Sequence, residues 1–254
     1  MWGQSDDRPM TYIPYFLEGE TRTGRWLITC DHATNTVPPQ VGNGDLGLPR
    51  TDMERHIAYD VGAWGVSRHL GTLLDGPVIA SNFSRLVIDP NRGEDDPTLV
   101  MKLYDGSVIP ANRDADATEV ERRLELCYRP YHRELARFAA LPHTAILAMH
   151  SFTRQLRGRD PRPWHIGVLH AGDTRLAAPL LELLRAEPDL VVGENEPYGG
   201  HLPGDSIDQH ALKQGRPNVL IEIRNDLIAE ETGQQDWARR LAPILTRALE
   251  ISGL

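Results

Sequence analysis

Seven short runs of Ile, Leu, Val and Ala, nearly free of polar residues, punctuate the chain and limit its fold more than any other feature. They lie at Trp26 to Cys30, Pro77 to Ser81, Arg85 to Ile88, Thr144 to Met149, His165 to His170, Leu190 to Val192 and Asn218 to Ile223. A strand with one wet face alternates in polarity, whereas a strand covered on both faces is apolar throughout. Helical patterns fall between the runs, across Met53 to Leu73, Asp116 to Ala139, Asp173 to Ala186 and Gln234 to Ile251. This alternation predicts an α/β fold: three layers, α-β-α, around a mixed but mostly parallel sheet. With 254 residues and 40% hydrophobic content, one domain spanning 1–254 is expected.

The formal charge of -9 excludes nucleic acid and anionic membrane as expected partners, because both call for a net basic face. Only Lys102 and Lys213 represent lysine, so the planar arginine fork is the main cation offered to carboxylates. Cys30 and Cys127 cannot build a disulfide framework and have no CxxC spacing. The N-terminal "MWGQSDDRPMTYIPY" has no basic, apolar leader pattern, and no segment approaches the ~18 consecutive apolar residues of a membrane span. A cytoplasmic protein is expected, with no oligomeric state specified.

Chemistry gathers at the carboxyl ends of the expected strands, where open α/β sheets bind their ligands. "WLITCDHATN" leads into Asp31 and His32, "TAILAMHSF" into His150, "RLVIDPNR" into Asp89, Asn91 and Arg92, and "NVLIEIRND" into Glu222 and Arg224. Catalytic zinc takes three ligands of the His, Glu and Asp type and leaves a position for water. His32 and His150 supply two imidazoles. For the third ligand Glu54, opening the helix pattern "MERHIAYDVGAW", ranks first because a carboxylate binds a dication better than an amide does. Asn35, His56 and Asp60 remain as alternatives. Another divalent ion that accepts nitrogen and oxygen would suit the same donors. A carboxylate two residues from a guanidinium at the interior is costly unless both are used. Glu222 is accordingly expected to be the general acid/base, and Arg224 to hold a substrate carboxylate or polarise the scissile carbonyl. Asp31 is placed to hydrogen-bond behind a ligand or to cap a turn. Tyr198, in the turn "NEPYGG" before His201, is a candidate donor to a substrate oxygen.

Several tempting motifs fail on context. "CDH" places thiol, carboxylate and imidazole side by side, but triads are assembled by the fold and not by sequence neighbours. "GNGDLG", Gly42 to Gly47, matches G-x-G-x-x-G only in letters, since no helix opens on its last glycine. "HSFTR" lacks the glycines of a nucleophile elbow. His69, His132, His143, His165, His170 and His210 receive no role. Gly93 to Asp114 and Arg154 to Pro163 read as loops that follow strand ends.

Five ordered blocks, "CDHATNTVP", "ERHIAYDVGA", "FSRLVIDPNR", "AMHSF" and "VLIEIRNDLI", resemble the N-formylglutamate amidohydrolase family from about Trp26 onward. The resemblance implies a zinc exopeptidase-like fold, similar to zinc carboxypeptidases and aspartoacylases, and hydrolysis of an amide to free formate and an acidic amino acid. Cell-wall zinc amidases carry a His, Glu, His, Glu order that His32, Glu54, His150 and Glu222 resemble. Asn91 and Arg92 are similar to the Asn-Arg pair with which aspartoacylases grip a substrate carboxylate. The carboxypeptidase His-x-x-Glu is not matched, because Asn35 stands in the fourth position. The expected substrate is a small acidic molecule such as N-formylglutamate, for which Arg85, Arg92, Arg224, Arg154 and Arg157 are candidate partners. An amidase or peptidase acting on another amide, or a non-catalytic carboxylate binder, are the competing expectations.

Overall fold

Six of the seven apolar runs pair into one sheet. The computed structural model describes residues 12–254; Met1 to Thr11, most of the stretch read above for an export signal, lies outside the described residues. The strands are β1 (Tyr15–Glu18), β2 (Trp26–Cys30), β3 (Val78–Ser81), β4 (Leu103–Tyr104), β5 (Ser107–Val108), β6 (Ala145–Phe152), β7 (Ile166–Leu169), β8 (Val192–Glu194) and β9 (Asn218–Arg224). The helices are α1 (Arg50–Met53), α2 (Ala63–Leu73), α3 (Pro110–Arg113), α4 (Ala117–Arg123), α5 (Arg129–Ala139), α6 (Ala177–Arg185), α7 (Ser206–His210) and α8 (Glu231–Ser252). None of them is long and apolar enough to cross a membrane.

The seven-stranded sheet has the order β1-β3-β2-β6-β9-β7-β8, with β4 and β5 forming a separate ribbon. Strands β3, β2, β6 and β9 run parallel. Edge strand β1 is antiparallel to β3, and β7, with β8 parallel to it, is antiparallel to β9. The odd-numbered residues Leu147, Met149, Val219, Ile221 and Ile223 pack with α2, α6 and α8 on one face. Ile146 and Ala148 pack with Tyr131, Leu135 and Phe138 of α5 on the other. Two-residue periodicity therefore directs His150 and Glu222 to the α5 face. The result is a three-layer α/β fold with a mostly parallel sheet, as the alternating runs predict.

Four segments depart from expectation, the first being Gly93 to Asp114, read as loop, which carries β4, β5 and α3. Arg85 to Ile88 is not a strand but a buried turn. Its carbonyls are satisfied by side chains, with Asn112 Nδ2 donating to Leu86 O and Arg123 Nη1 to Val87 O, both at 2.7 Å. Apolarity there records burial without ladder pairing. The expected helix from Met53 to Leu73 is interrupted between α1 and α2. Gly62 takes φ +80°, and a β-carbon on it would lie 2.0 Å from the Ile228 carbonyl oxygen. Edge strand β1 carries no long apolar run, and its residues are only half-buried.

Candidate active site

Strands β2, β6 and β9 are adjacent and parallel, so their carboxyl ends open on one place. His150 of β6 lies directly beside Glu222 of β9 in register. His32 follows β2 by two residues, and the interruption before α2 brings in Asp60, whose N–H donates to the His32 carbonyl at 2.9 Å. Asp60 Oδ2 stands 2.9 Å from His150 Nδ1 and 3.4 Å from His32 Nδ1. It also accepts from the Ser151 N–H at 3.2 Å. His32, Asp60 and His150 are buried and form the metal-ligating group found among the described residues, each offering one atom within 4.8 Å of the others.

The far nitrogen of each imidazole is backed by a carboxylate. His32 Nε2 meets Asp89 Oδ1 at 2.7 Å, and His150 Nε2 lies 3.5 Å from Asp31 Oδ2. Asp31 is in turn held by Tyr131, whose hydroxyl donates to Oδ1 at 2.5 Å. Arg85 and Asp89 together favour one His32 tautomer. Arg85 Nη1 lies 3.2 Å from His32 Nδ1, and a guanidinium can only donate, so Nδ1 carries the lone pair and Nε2–H faces Asp89. The same guanidinium donates from Nη2 to Asp89 Oδ2 at 2.8 Å.

This donor set fits a small divalent cation. Ligand atoms at ~2.0 Å from a tetrahedral ion are separated by about 3.3 Å, close to the spacing around Asp60 Oδ2. Carboxylates behind metal-bound imidazoles orient the rings and raise their basicity. Charge agrees with geometry: Asp31, Asp60 and Asp89 are all buried around the two imidazoles, and the one guanidinium among them, Arg85, pairs with Asp89 at 2.8 Å and lies 3.6 Å from Asp60. Burial alone would raise the Asp89 carboxyl, but Arg85 and His32 hold it well below the usual range. Burial would likewise strip the His150 proton, yet Asp31 and Asp60 push that imidazole well above its ordinary value. The two carboxylates thus favour positive charge between them.

An open cavity of about 470 Å³ reaches this group. His32, Asp60, Arg85, Asn91, Arg92, His150, Tyr198 and Glu222 all contribute to its wall. Burial pushes the Glu222 carboxyl up to about 7, and Oε2 has no hydrogen-bond partner among the described residues. Gly167 of β7 faces Glu222 across the antiparallel pair. A β-carbon at 167 would come within 2.1 Å of the Glu196 carbonyl oxygen, so the segment leading to Tyr198 rests on bare strand backbone.

The family model for N-formylglutamate amidohydrolase matches residues 24–229, most of the chain. The chain belongs to the N-formylglutamate amidohydrolase family. Its fold is similar to that of a gene product from Agrobacterium tumefaciens, with a TM-score of 0.89 and 33% identity over 96% of this chain and 98% of that one. It is also similar to the N-formylglutamate amidohydrolase from Ralstonia eutropha JMP134, with a TM-score of 0.68 and 24% identity over 95% and 98% of the two chains. None of the curated proteins compared with it matches.

Membership in this amidohydrolase family gives the fate of each expected residue its interest. The structure brings together His32, His150, Glu222, Arg85, Asn91, Arg92 and Tyr198. It does not bring Glu54 there. That residue ends α1 in the αR conformation, its side chain half exposed and paired with Arg50 at 2.6 Å. Asp60, ranked among the alternatives, stands in the place expected of Glu54. Asn35 donates instead to the Met53 carbonyl, and His56 lines the cavity 3.6 Å from Asp105. Arg224 also falls outside: past the end of β9 its Nε donates to Asp226 at 2.7 Å and Nη1 to the Trp164 carbonyl at 3.4 Å. The guanidinium beside Glu222 is that of Arg85. Arg157 lines a neighbouring hollow with Glu54 and Asp105. Tyr131 behind Asp31 went unread, since its only sequence signal is an aromatic on the buried stripe of α5.

Proposed function

We propose that this chain is a metal-dependent amidohydrolase that removes the N-acyl group, formyl in the first instance, from a small acidic amino acid such as N-formylglutamate. The observation that carries the reading is the convergence of His32 Nδ1, His150 Nδ1 and Asp60 Oδ2 beside a buried Glu222 oxygen with no partner among the described residues. Those three atoms would hold the ion, with zinc the first choice for a nitrogen and oxygen donor set of this size. When bound, the ion supplies Lewis-acid polarisation and lowers the pKa of water near it.

Glu222 is assigned the proton transfers. A carboxyl pushed up to about 7 gains and loses its proton near neutrality, as a group must that takes a proton from attacking water and returns it to the departing nitrogen. Arg85 favours the His32 tautomer with its lone pair on Nδ1, a lone pair that a bound ion would take over from the guanidinium, and adds positive potential to the cavity wall. Asn91 and Arg92 grip the substrate carboxylate. Arg92 suits the task because its guanidinium meets only Thr98 Oγ1 and the Asn91 carbonyl, with no carboxylate partner among the described residues. Tyr198 Oη accepts from Arg162 Nη1 at 3.1 Å, which leaves its own hydrogen free for a substrate oxygen. The cytoplasm is the expected compartment, in keeping with two buried, unpaired cysteines.

Metal analysis joined to a panel of N-formyl and N-acetyl amino acids tests the proposal. A stoichiometric divalent ion and a preference for acidic over neutral N-formyl amino acids are expected. Metal-loaded protein that turns over no member of the panel would refute it.

A further inference from the structure

The Asn91-Arg92 pair sits on a short loop whose polar groups are tied down one after another. Asp89 Oδ1 accepts from the Asn91 N–H at 2.9 Å, and Asn91 Oδ1 accepts from the Ser206 N–H at 3.3 Å. Tyr128 Oη donates to the Arg92 carbonyl at 2.7 Å and accepts from Gln209 Nε2 at 2.9 Å. The Pro90 carbonyl receives Ser206 Oγ at 3.3 Å and His132 Nε2 at 3.0 Å.

Behind that last contact lies a second imidazole. His132 Nδ1 is 2.8 Å from His210 Nε2, the ring planes are within 15° of parallel with centroids 5.1 Å apart so that the rings meet edge to edge, and both residues are buried. Neither has a carboxylate at ion-pair distance among the described residues. A carbonyl only accepts, so His132 must carry its hydrogen on Nε2. Burial pushes His132 down to about 4 and His210 to about 3, which keeps both rings neutral at pH 7. His132 Nδ1 is then a bare acceptor, and the hydrogen between the rings belongs to His210 Nε2. The direction of the chain is thereby fixed: His210 to His132 to the Pro90 carbonyl. Two apolar rings would fill the same space with less desolvation cost but could not pin a carbonyl.

We propose that His210, acting through His132, is a positioning residue that sets the angle at which Asn91 and Arg92 meet the substrate. The inference rests on the assignment of Asn91 and Arg92 to the substrate carboxylate. It makes α7 part of the substrate grip although no side chain of α7 touches the proposed metal centre.

The test joins imidazole nitrogen NMR on the metal-loaded protein with two variants, H210L and H210Q, the second retaining a side-chain N–H. The Nε2–H tautomer is expected for His132 and for His210. In H210L the backbone amide resonances of Asn91 and Arg92 should shift, and KM for N-formyl-L-glutamate should rise about tenfold, with kcat within about twofold and metal content unchanged. In H210Q both effects should be largely reversed. A His132 Nδ1–H tautomer overturns the proposal, as does an H210L variant whose Asn91 and Arg92 amides stay in place or whose loss lies in kcat alone. Should H210L fail to fold, the tautomers and the H210Q amide shifts decide. Should the parent leave N-formyl-L-glutamate untouched, the functional reading fails while the tautomers and amide shifts still judge the relay.

Discussion

Glu222 and Arg224 leave the same face of β9, yet only Glu222 meets the cavity; Arg224 reaches past the strand end to Asp226. Replacing Glu222 by Gln should cut kcat by ~10²-fold or more with bound metal retained, because shape is kept and the proton shuttle is lost. Arg224→Ala should leave kcat/KM within about threefold, since its partners are structural. Steady-state kinetics with metal analysis separates the two. A second contrast concerns the third ligand: Asp60→Asn should lose tight metal binding, whereas Glu54→Gln should keep it and change stability by no more than about 0.5 kcal/mol. Retained metal in the first variant would remove Asp60 from the ligand set, and lost metal in the second would restore Glu54 to it. His32, His150 and Glu222 were legible because each ends an apolar run that could only be a covered strand. Asp60 ranked only as an alternative, because a helix pattern ran through it. Gly62, at a position where a side chain would strike the Ile228 carbonyl, was the signal of the break.

Elements carry the site as much as residues do. The turn from Arg85 to Val87 looks apolar like a strand, but its carbonyls are claimed by Asn112 and Arg123, side chains remote in sequence that no local pattern reveals. Helix α7 is short and depends on its polar ends. Asp205 accepts from the Asp208 N–H at 2.7 Å as the N-cap, and Asp208 returns to the Gly204 N–H and to Lys213 Nζ, each at 2.7 Å. Burial would push the Asp208 carboxyl up, but Lys213, Gly204 and His201 hold it down at about 2. Its folded value lies below the ordinary ~3.9, so its stabilisation, about 1 kcal/mol with the exposed Lys213 partner screened by solvent, is complete above pH ~4 and is lost as pH falls toward about 2. Urea unfolding of the parent and of Asp208→Asn should therefore differ by about that amount at pH 7 and converge near pH 2. An unchanged gap in acid would mean that the carboxylate charge is not what holds α7.

At the scale of the whole molecule, the sheet order was not readable from the runs alone. The runs announced parallel strands, but nothing in "HIGVLH" distinguishes a strand antiparallel to its neighbour from one parallel to it. The structure also gathers three aspartates and two imidazoles, drawn from positions between 31 and 150, around one buried point. A ligand bound there only in the folded state must stabilise the whole fold. Chelation should lower the apparent Tm, and zinc at about a hundred times its Kd should restore roughly 2.7 kcal/mol, an increment that His150→Ala abolishes. Calorimetry with and without chelator reads both effects; identical melting curves would argue that no ion is held at this point. The bare backbone at Gly167 has a further reach. Even a methyl group there would prise the Glu196 peptide, and Tyr198 with it, away from the carboxyl group opposite. Sequence drift in this family can thus be screened at one seat: a chain that has acquired a side chain at that register has had to re-route the roof of its own reaction chamber.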